Sequence, residues 1–174
     1  MTLLLLATGD TIAQRKSSVA SGRELLETVR TPPQRVVVED VLAEPSWDTS
    51  VSTQLALARR VRKALAEDEF AGVIVTHGVD TMDETAFLTD LMAGPARGNI
   101  VFTGAYHPLF VREPDGPDNL EASLVAAEDP ALRGAGAVCA CATSCTRPAG
   151  CGTRGGSPPC RTRCWAAWSA GRCA

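Results

Sequence analysis

The first 138 residues contain no cysteine, and residues 130–174 contain no acid. All seven cysteines lie between Cys139 and Cys173. Their odd number, with no export signal ahead of them, disfavours a secreted disulfide framework. No C-x₂-C pair occurs among them, and both histidines, His77 and His107, precede the tail. That pattern does not make a zinc site, so neither a metal nor any other cofactor is expected. No apolar run approaches the roughly 20 residues that a membrane helix needs. The four leucines from Leu3 to Leu6 are too few for a secretory signal and have no basic run before them. The expectation is a cytoplasmic protein with no membrane partner. A formal net charge of −3 gives no reason to expect nucleic acid as a partner.

That total hides an asymmetry. Residues 1–129 carry 11 Lys/Arg against 20 Asp/Glu, a net of −9, whereas residues 130–174 carry six Arg and a net of +6. Charge and cysteine break together, and 174 residues suffice for one domain plus an appendage. We expect a domain over residues 1–138 and an irregular, disordered tail over 139–174, where Ala, Gly, Pro, Arg, Cys and Ser dominate.

Within the first part, short apolar runs alternate with helical periods. Residues 1–7, 35–41, 72–76 and 99–103 read as strands, and residues 134–138 as the start of a fifth. Leu55, Ala58, Val61, Arg62 and Leu65 recur at three- and four-residue steps, the period of an amphipathic helix that Thr49 or Ser50 can cap. Residues 81–92 and 119–128 read as further helices, 23–30 as one or two helical turns, and 14–22 as a mobile loop. Strands alternating with helices predict an α/β fold: a parallel sheet with helices on both faces, a Rossmann-like three-layer arrangement. Ligands of such sheets bind beyond the carboxyl ends of the strands. The loops around Thr8–Thr11, Ser46–Asp48, His77–Asp80 and Gly104–Tyr106 all fall at that edge.

Two of these loops bear chemistry. In Ala7-Thr8-Gly9-Asp10-Thr11-Ile12-Ala13 a glycine turn follows a buried strand, which lets a hydroxyl project at the sheet edge beside free backbone N–H groups. The same pattern also fits an ordinary turn whose threonines cap backbone groups. In Thr76-His77-Gly78-Val79-Asp80-Thr81-Met82-Asp83-Glu84-Thr85 a strand runs through a loop into a helix. Asp80 there suits an ammonium group or a nearby base, and Asp80 or Thr81 equally suits the helix cap.

Taken together, the two loops resemble the type I/II L-asparaginase family, whose signatures are T-G-G-T-I-A and H-G-T-D-T-M-E-E-T, in that order. Ser46-Trp47-Asp48, Gly104-Ala105 and Asp115-Gly116-Pro117-Asp118-Asn119-Leu120 are similar to further family segments, and the resemblance spans about residues 2–138. It implies hydrolysis of the side-chain amide of asparagine to aspartate and ammonia. Thr11 would be the nucleophile, Asp80 part of its activating relay, and Ser46, Trp47, Gly78, Val79, Asp80 and Ala105 the substrate-binding residues. The family is homo-oligomeric, and its C-terminal domain contributes to a neighbouring subunit's site.

The sequence departs from the family in several places. Val79 stands where the family has a relay threonine, and a valine has no hydroxyl to pass a proton. Asp10 replaces a glycine and puts a negative charge beside Thr11, disfavouring an anionic substrate unless it points away. Residues 14–27 lack a tyrosine, and no segment matches the family's relay lysine or its C-terminal domain. We read the tail as an out-of-frame translation beginning near codon 139. Two other functions fit the same residues: a small-molecule-binding pseudo-enzyme, or the glutaminase-like subunit of a tRNA-dependent amidotransferase.

Overall fold

The computed structural model describes residues 2–33, 35–66, 70–95, 98–141 and 144–146. The strands are β1 (Leu3–Ala7), β2 (Val36–Asp40), β3 (Gly72–Thr76), β4 (Asn99–Thr103), β5 (Ala137–Cys141) and β6 (Ser144–Thr146). The helices are α1 (Gly22–Leu26), α2 (Val51–Ala66), α3 (Met82–Ala93) and α4 (Gly116–Glu128). All six strands belong to one sheet in the order β2-β1-β3-β4-β5-β6. The first five pair in parallel, and β6 returns antiparallel to β5. The expected parallel sheet is therefore present, and it continues beyond residue 138 through β5 into β6. The tail expected to be irregular from residue 139 thus begins as strand, and its residues 142–143 and 147–174 lie outside the described residues.

Alternation along each strand sends its side chains to two layers. Leu3 and Leu5 join Leu25 of α1 and Leu120 and Leu124 of α4 in one apolar core. Leu4 and Leu6 join Leu57 and Val61 of α2 and Ala86 of α3 in the other. Every residue of β1, β3 and β4 is buried, the pattern of strands covered on both faces. Edge strand β2 is half-exposed.

Local signals set the helix starts. Ser50 caps α2, its Oγ accepting the Thr53 N–H at 3.2 Å. Ser21 opens α1 with a reciprocal capping box: its Oγ accepts the Glu24 N–H at 3.3 Å, while Glu24 Oε2 accepts the Ser21 N–H at 2.8 Å. The first turn of this five-residue helix is held as well by Asp40, whose Oδ1 accepts the Gly22 N–H at 2.7 Å. Ser21→Ala is expected to cost about 1 kcal/mol, read as a lower urea midpoint at unchanged slope. Segment 14–22, expected as a mobile loop, folds back on itself through a bridge between Gln14 and Val19. Helix α4 begins at Gly116, three residues before the expected Asn119, because Pro117 suits a first turn.

The chain leaves β1 toward β2 on one side, then crosses back to β3 on the other. Such a reversal opens a crevice at the carboxyl ends of the two central strands. In this molecule those ends carry the loops that follow Ala7 and Thr76.

Candidate active site

Thr8 and Thr76 bind the two central strands together where they end. The Thr8 N–H donates to Thr76 Oγ1 at 3.2 Å, and the Thr8 hydroxyl donates to the Thr76 carbonyl. Both residues are buried. Beyond them Gly9, at φ 84°, turns the chain into Asp10, and Thr11 begins a short 3-10 turn, Thr11–Ala13. The close approach of Ala43 leaves Gly9 no room for a side chain, since a Cβ there would fall 2.9 Å from its Cα.

The side chain of Asp10 organises this corner. Its Oδ1 accepts the Thr11 N–H at 2.5 Å and the Thr11 hydroxyl at 3.0 Å. Its Oδ2 accepts the Ser46 N–H at 2.6 Å. Desolvation pushes the Asp10 carboxyl toward the neutral form. The hydrogen bonds from Ser46 and Thr11 outweigh it and hold the group below the ordinary aspartate range. The sequence left open whether Asp10 points away from Thr11; it points onto it.

Ser46, 2% exposed, starts a second 3-10 turn, Ser46–Asp48. Its hydroxyl reaches Asp80 Oδ2 at 3.5 Å, and its carbonyl accepts the Thr81 hydroxyl at 2.9 Å. Thr81 is thus at the N-cap position of α3 while its side chain fastens the neighbouring loop, with no side-chain cap bond. Gly78 makes this convergence possible. A Cβ there would lie 1.9 Å from Asp10 Oδ2 and 2.2 Å from Ser46 Oγ.

Three of the six expected site residues outside the nucleophile loop therefore meet around Asp10: Ser46, Gly78 and Asp80. The others stand apart from these hydrogen bonds. Val79 is half-buried and packs against the α2/α3 core, with its Cγ1 3.3 Å from where a Cβ on Gly104 would sit. Ala105 is buried beside Ile12 in the α1/α4 core, beneath the loops. Trp47 is 70% exposed. One further fixture comes from the first residue of the Asp115–Leu120 segment. Asp115 accepts the Tyr106 and His107 N–H groups at 3.0 and 2.8 Å, holding the loop between β4 and α4.

His77 is 2% exposed, with Nδ1 2.9 Å from the Gly78 carbonyl oxygen and its ring 6.2 Å from that of Phe102. Desolvation pushes its pKa below the ordinary histidine value, against the opposing pull of the Gly78 carbonyl and the Asp10 and Glu84 charges. Below pH about 6.5 the unfolded chain binds a proton that folded His77 refuses, so stability falls as pH drops through that region. Thermal midpoints measured from pH 7 to pH 5 should decline, and His77→Gln should flatten the decline.

Among the described residues no group of three or more His, Cys, Asp or Glu side chains is placed to hold a metal ion. Among them, too, no helix is long and apolar enough to cross a membrane. What the corner offers is the hydroxyls of Thr11, Ser46 and Thr81, the carboxylates of Asp10 and Asp80, and backbone N–H donors that Asp10 engages. Those are the parts of acyl transfer to a hydroxyl.

A family model described as asparaginase, N-terminal, matches residues 2–153. L-asparaginase 2 of Bacillus subtilis is 31% identical over 146 residues, covering 76% of this chain and 38% of the relative. L-asparaginase 2 of Escherichia coli is 34% identical over 140 residues, covering 74% and 39%. The chain thus spans about two-fifths of the length of these curated relatives. A crystal structure of a probable cytoplasmic L-asparaginase from Campylobacter jejuni superposes with a TM-score of 0.76 at 27% identity, covering 85% of this chain and 46% of that one.

Proposed function

Since this chain belongs to the asparaginase family, we propose that it is an amidohydrolase acting on the side-chain amide of L-asparagine through Thr11. The observation that carries the reading is the meeting of the Thr11, Ser46 and Asp80 loops at the crevice between β1 and β3. The Thr11 hydroxyl attacks the amide carbonyl, ammonia leaves, and water releases aspartate from the resulting ester. Asp80, exposed and beside Ser46, has the charge to receive a substrate ammonium group. A cytoplasmic location belongs to the same proposal and is supported by the name of the Campylobacter neighbour.

The test is ammonia release from L-asparagine and L-glutamine by the 174-residue chain beside its Thr11→Ala variant. Release that survives the substitution removes Thr11 from the mechanism. A second reading, a binding domain without turnover, draws on Val79, whose methyl groups cannot relay a proton. Amide binding with no ammonia from either substrate would favour it.

A further inference from the structure

We propose that Asp10 is the base that activates Thr11: its carboxylate takes the hydroxyl proton as the Thr11 oxygen attacks the amide carbonyl. The inference rests on the amidohydrolase reading of the same site and supplies the proton acceptor that the reading needs.

A threonine hydroxyl is a weak nucleophile and attacks usefully only while its proton is being removed. The acceptor must stand within about 2.6–3.2 Å of the hydroxyl oxygen. Asp10 Oδ1 stands at 3.0 Å and receives that hydroxyl. The neighbouring titratable groups face elsewhere. Asp80 Oδ2 takes its contact from the Ser46 hydroxyl at 3.5 Å, and His77 Nδ1 lies 2.9 Å from the Gly78 carbonyl oxygen. Val79 has no side-chain atom that can accept a proton.

The two oxygens of Asp10 divide the work. Oδ2 is anchored by the Ser46 N–H at 2.6 Å, and the Gly78 backbone closes against it with no room for a Cβ. That anchor leaves Oδ1 turned onto Thr11. The pose is kept at φ 64°, and Asp10 is the only non-glycine residue among the described ones at positive φ. Such conformations persist where the surroundings over-determine them, and they gather at active sites.

Charge follows the proton. Desolvation pushes Asp10 toward the neutral form, and the hydrogen bonds from Ser46 and Thr11 outweigh it, so the carboxylate is ionised at neutral pH. An ionised neighbour would oppose an oxyanion, but Asp10 gives up its charge as the carbonyl oxygen gains one. In that step the bond from Thr11 Oγ1 to the amide carbon forms and the proton passes to Oδ1. On collapse the carbon–nitrogen bond breaks, Asp10 returns the proton to the departing nitrogen, and ammonia leaves. Water then attacks the ester and gives a proton to Asp10, which passes it to Thr11 Oγ1 as that bond breaks. The hydrogen bonds that keep Asp10 ionised also make it a modest base, so a further proton-relaying hydroxyl at the site would still add rate.

The experiment follows acylation of Thr11 by p-nitrophenyl acetate in the full chain from pH 6 to pH 8, read as the mass of the peptide that carries Thr11. The unaltered chain should show a flat rate across that range, because the base is ionised throughout. Asp10→Asn keeps the shape, tolerates the positive φ and cannot take up the proton. It should acylate about 100-fold more slowly at pH 7, the low end of what one general base supplies, and its rate should climb about tenfold per pH unit as hydroxide takes over. Asp10→Gly, at home at the same φ, gives the same readout if the asparagine variant does not fold. A variant whose profile stays flat overturns the proposal whatever its rate, since a merely structural role would leave the profile alone. An unaltered chain that is not acylated at Thr11 overturns it as well. Ammonia release from L-asparagine is measured alongside. Asp10-dependent acylation in a chain that releases no ammonia sinks the amidohydrolase reading alone, whereas ammonia release with acylation indifferent to Asp10 sinks this proposal alone.

Discussion

Thr11→Ala is expected to lower ammonia release by about 10³-fold or more, because it removes the hydroxyl that attacks the amide. The fold should be indifferent to the change. Thr11 is half-buried, and the bond lost is one 3.0 Å contact from its hydroxyl to Asp10, whose Oδ1 keeps the Thr11 N–H. Thr11→Ser restores a hydroxyl at the same atom and should recover much of the rate. Ammonia release by the three chains, with denaturation midpoints measured alongside, separates a chemical role from a structural one. Equal rates in Thr11→Ala and the unaltered chain would end the nucleophile assignment.

Val79→Thr should act in the opposite direction and raise hydrolysis by about 100-fold, the scale of one acid–base group. Threonine has the shape of valine, so the backbone of the loop need not move. The gain carries a stability cost. Val79 packs against the α2/α3 core, and a hydroxyl turned into that packing without a partner costs about 1–3 kcal/mol. A variant that hydrolyses asparagine faster and unfolds at lower denaturant is the expected pair of results. An unchanged rate would mean that proton transfer in this chain bypasses position 79.

Most of the scaffold was legible because apolar runs and their boundaries agree. The limits expected for β3 and β4 match the observed Gly72–Thr76 and Asn99–Thr103, each an apolar run that a helix follows after a loop. The crevice was legible too, since strand–helix alternation puts every loop after a strand at one edge. Strand β6 was not, because Ser144–Thr146 is too short to show a period and exists through its pairing with β5. At the site, sequence named Thr11, Ser46 and Asp80 but not what joins them. The bond from the Ser46 N–H to Asp10 Oδ2 spans 36 positions. It depends on a backbone angle at Asp10 that local pattern does not encode. Trp47 and Ala105 show the converse, residues beside a motif that the fold turns toward solvent or into the core.

The leucines of β1 have a further consequence. With Leu3 and Leu5 in one core and Leu4 and Leu6 in the other, the strand is apolar on both sides. Sliding it by a single residue would exchange leucine for leucine at three of the four sites and bring in Thr2 or Ala7 only at the fourth, so apolar burial separates the correct alignment from the neighbouring wrong one weakly. Further discrimination comes from the strand's polar end. Thr8 and Thr76 clasp each other there by two complementary hydrogen bonds, which a slip would break together and leave buried without partners. That clasp works like the notch on a key blank: it contributes little bulk, yet it decides that Thr11 emerges opposite Ser46 and not one step away.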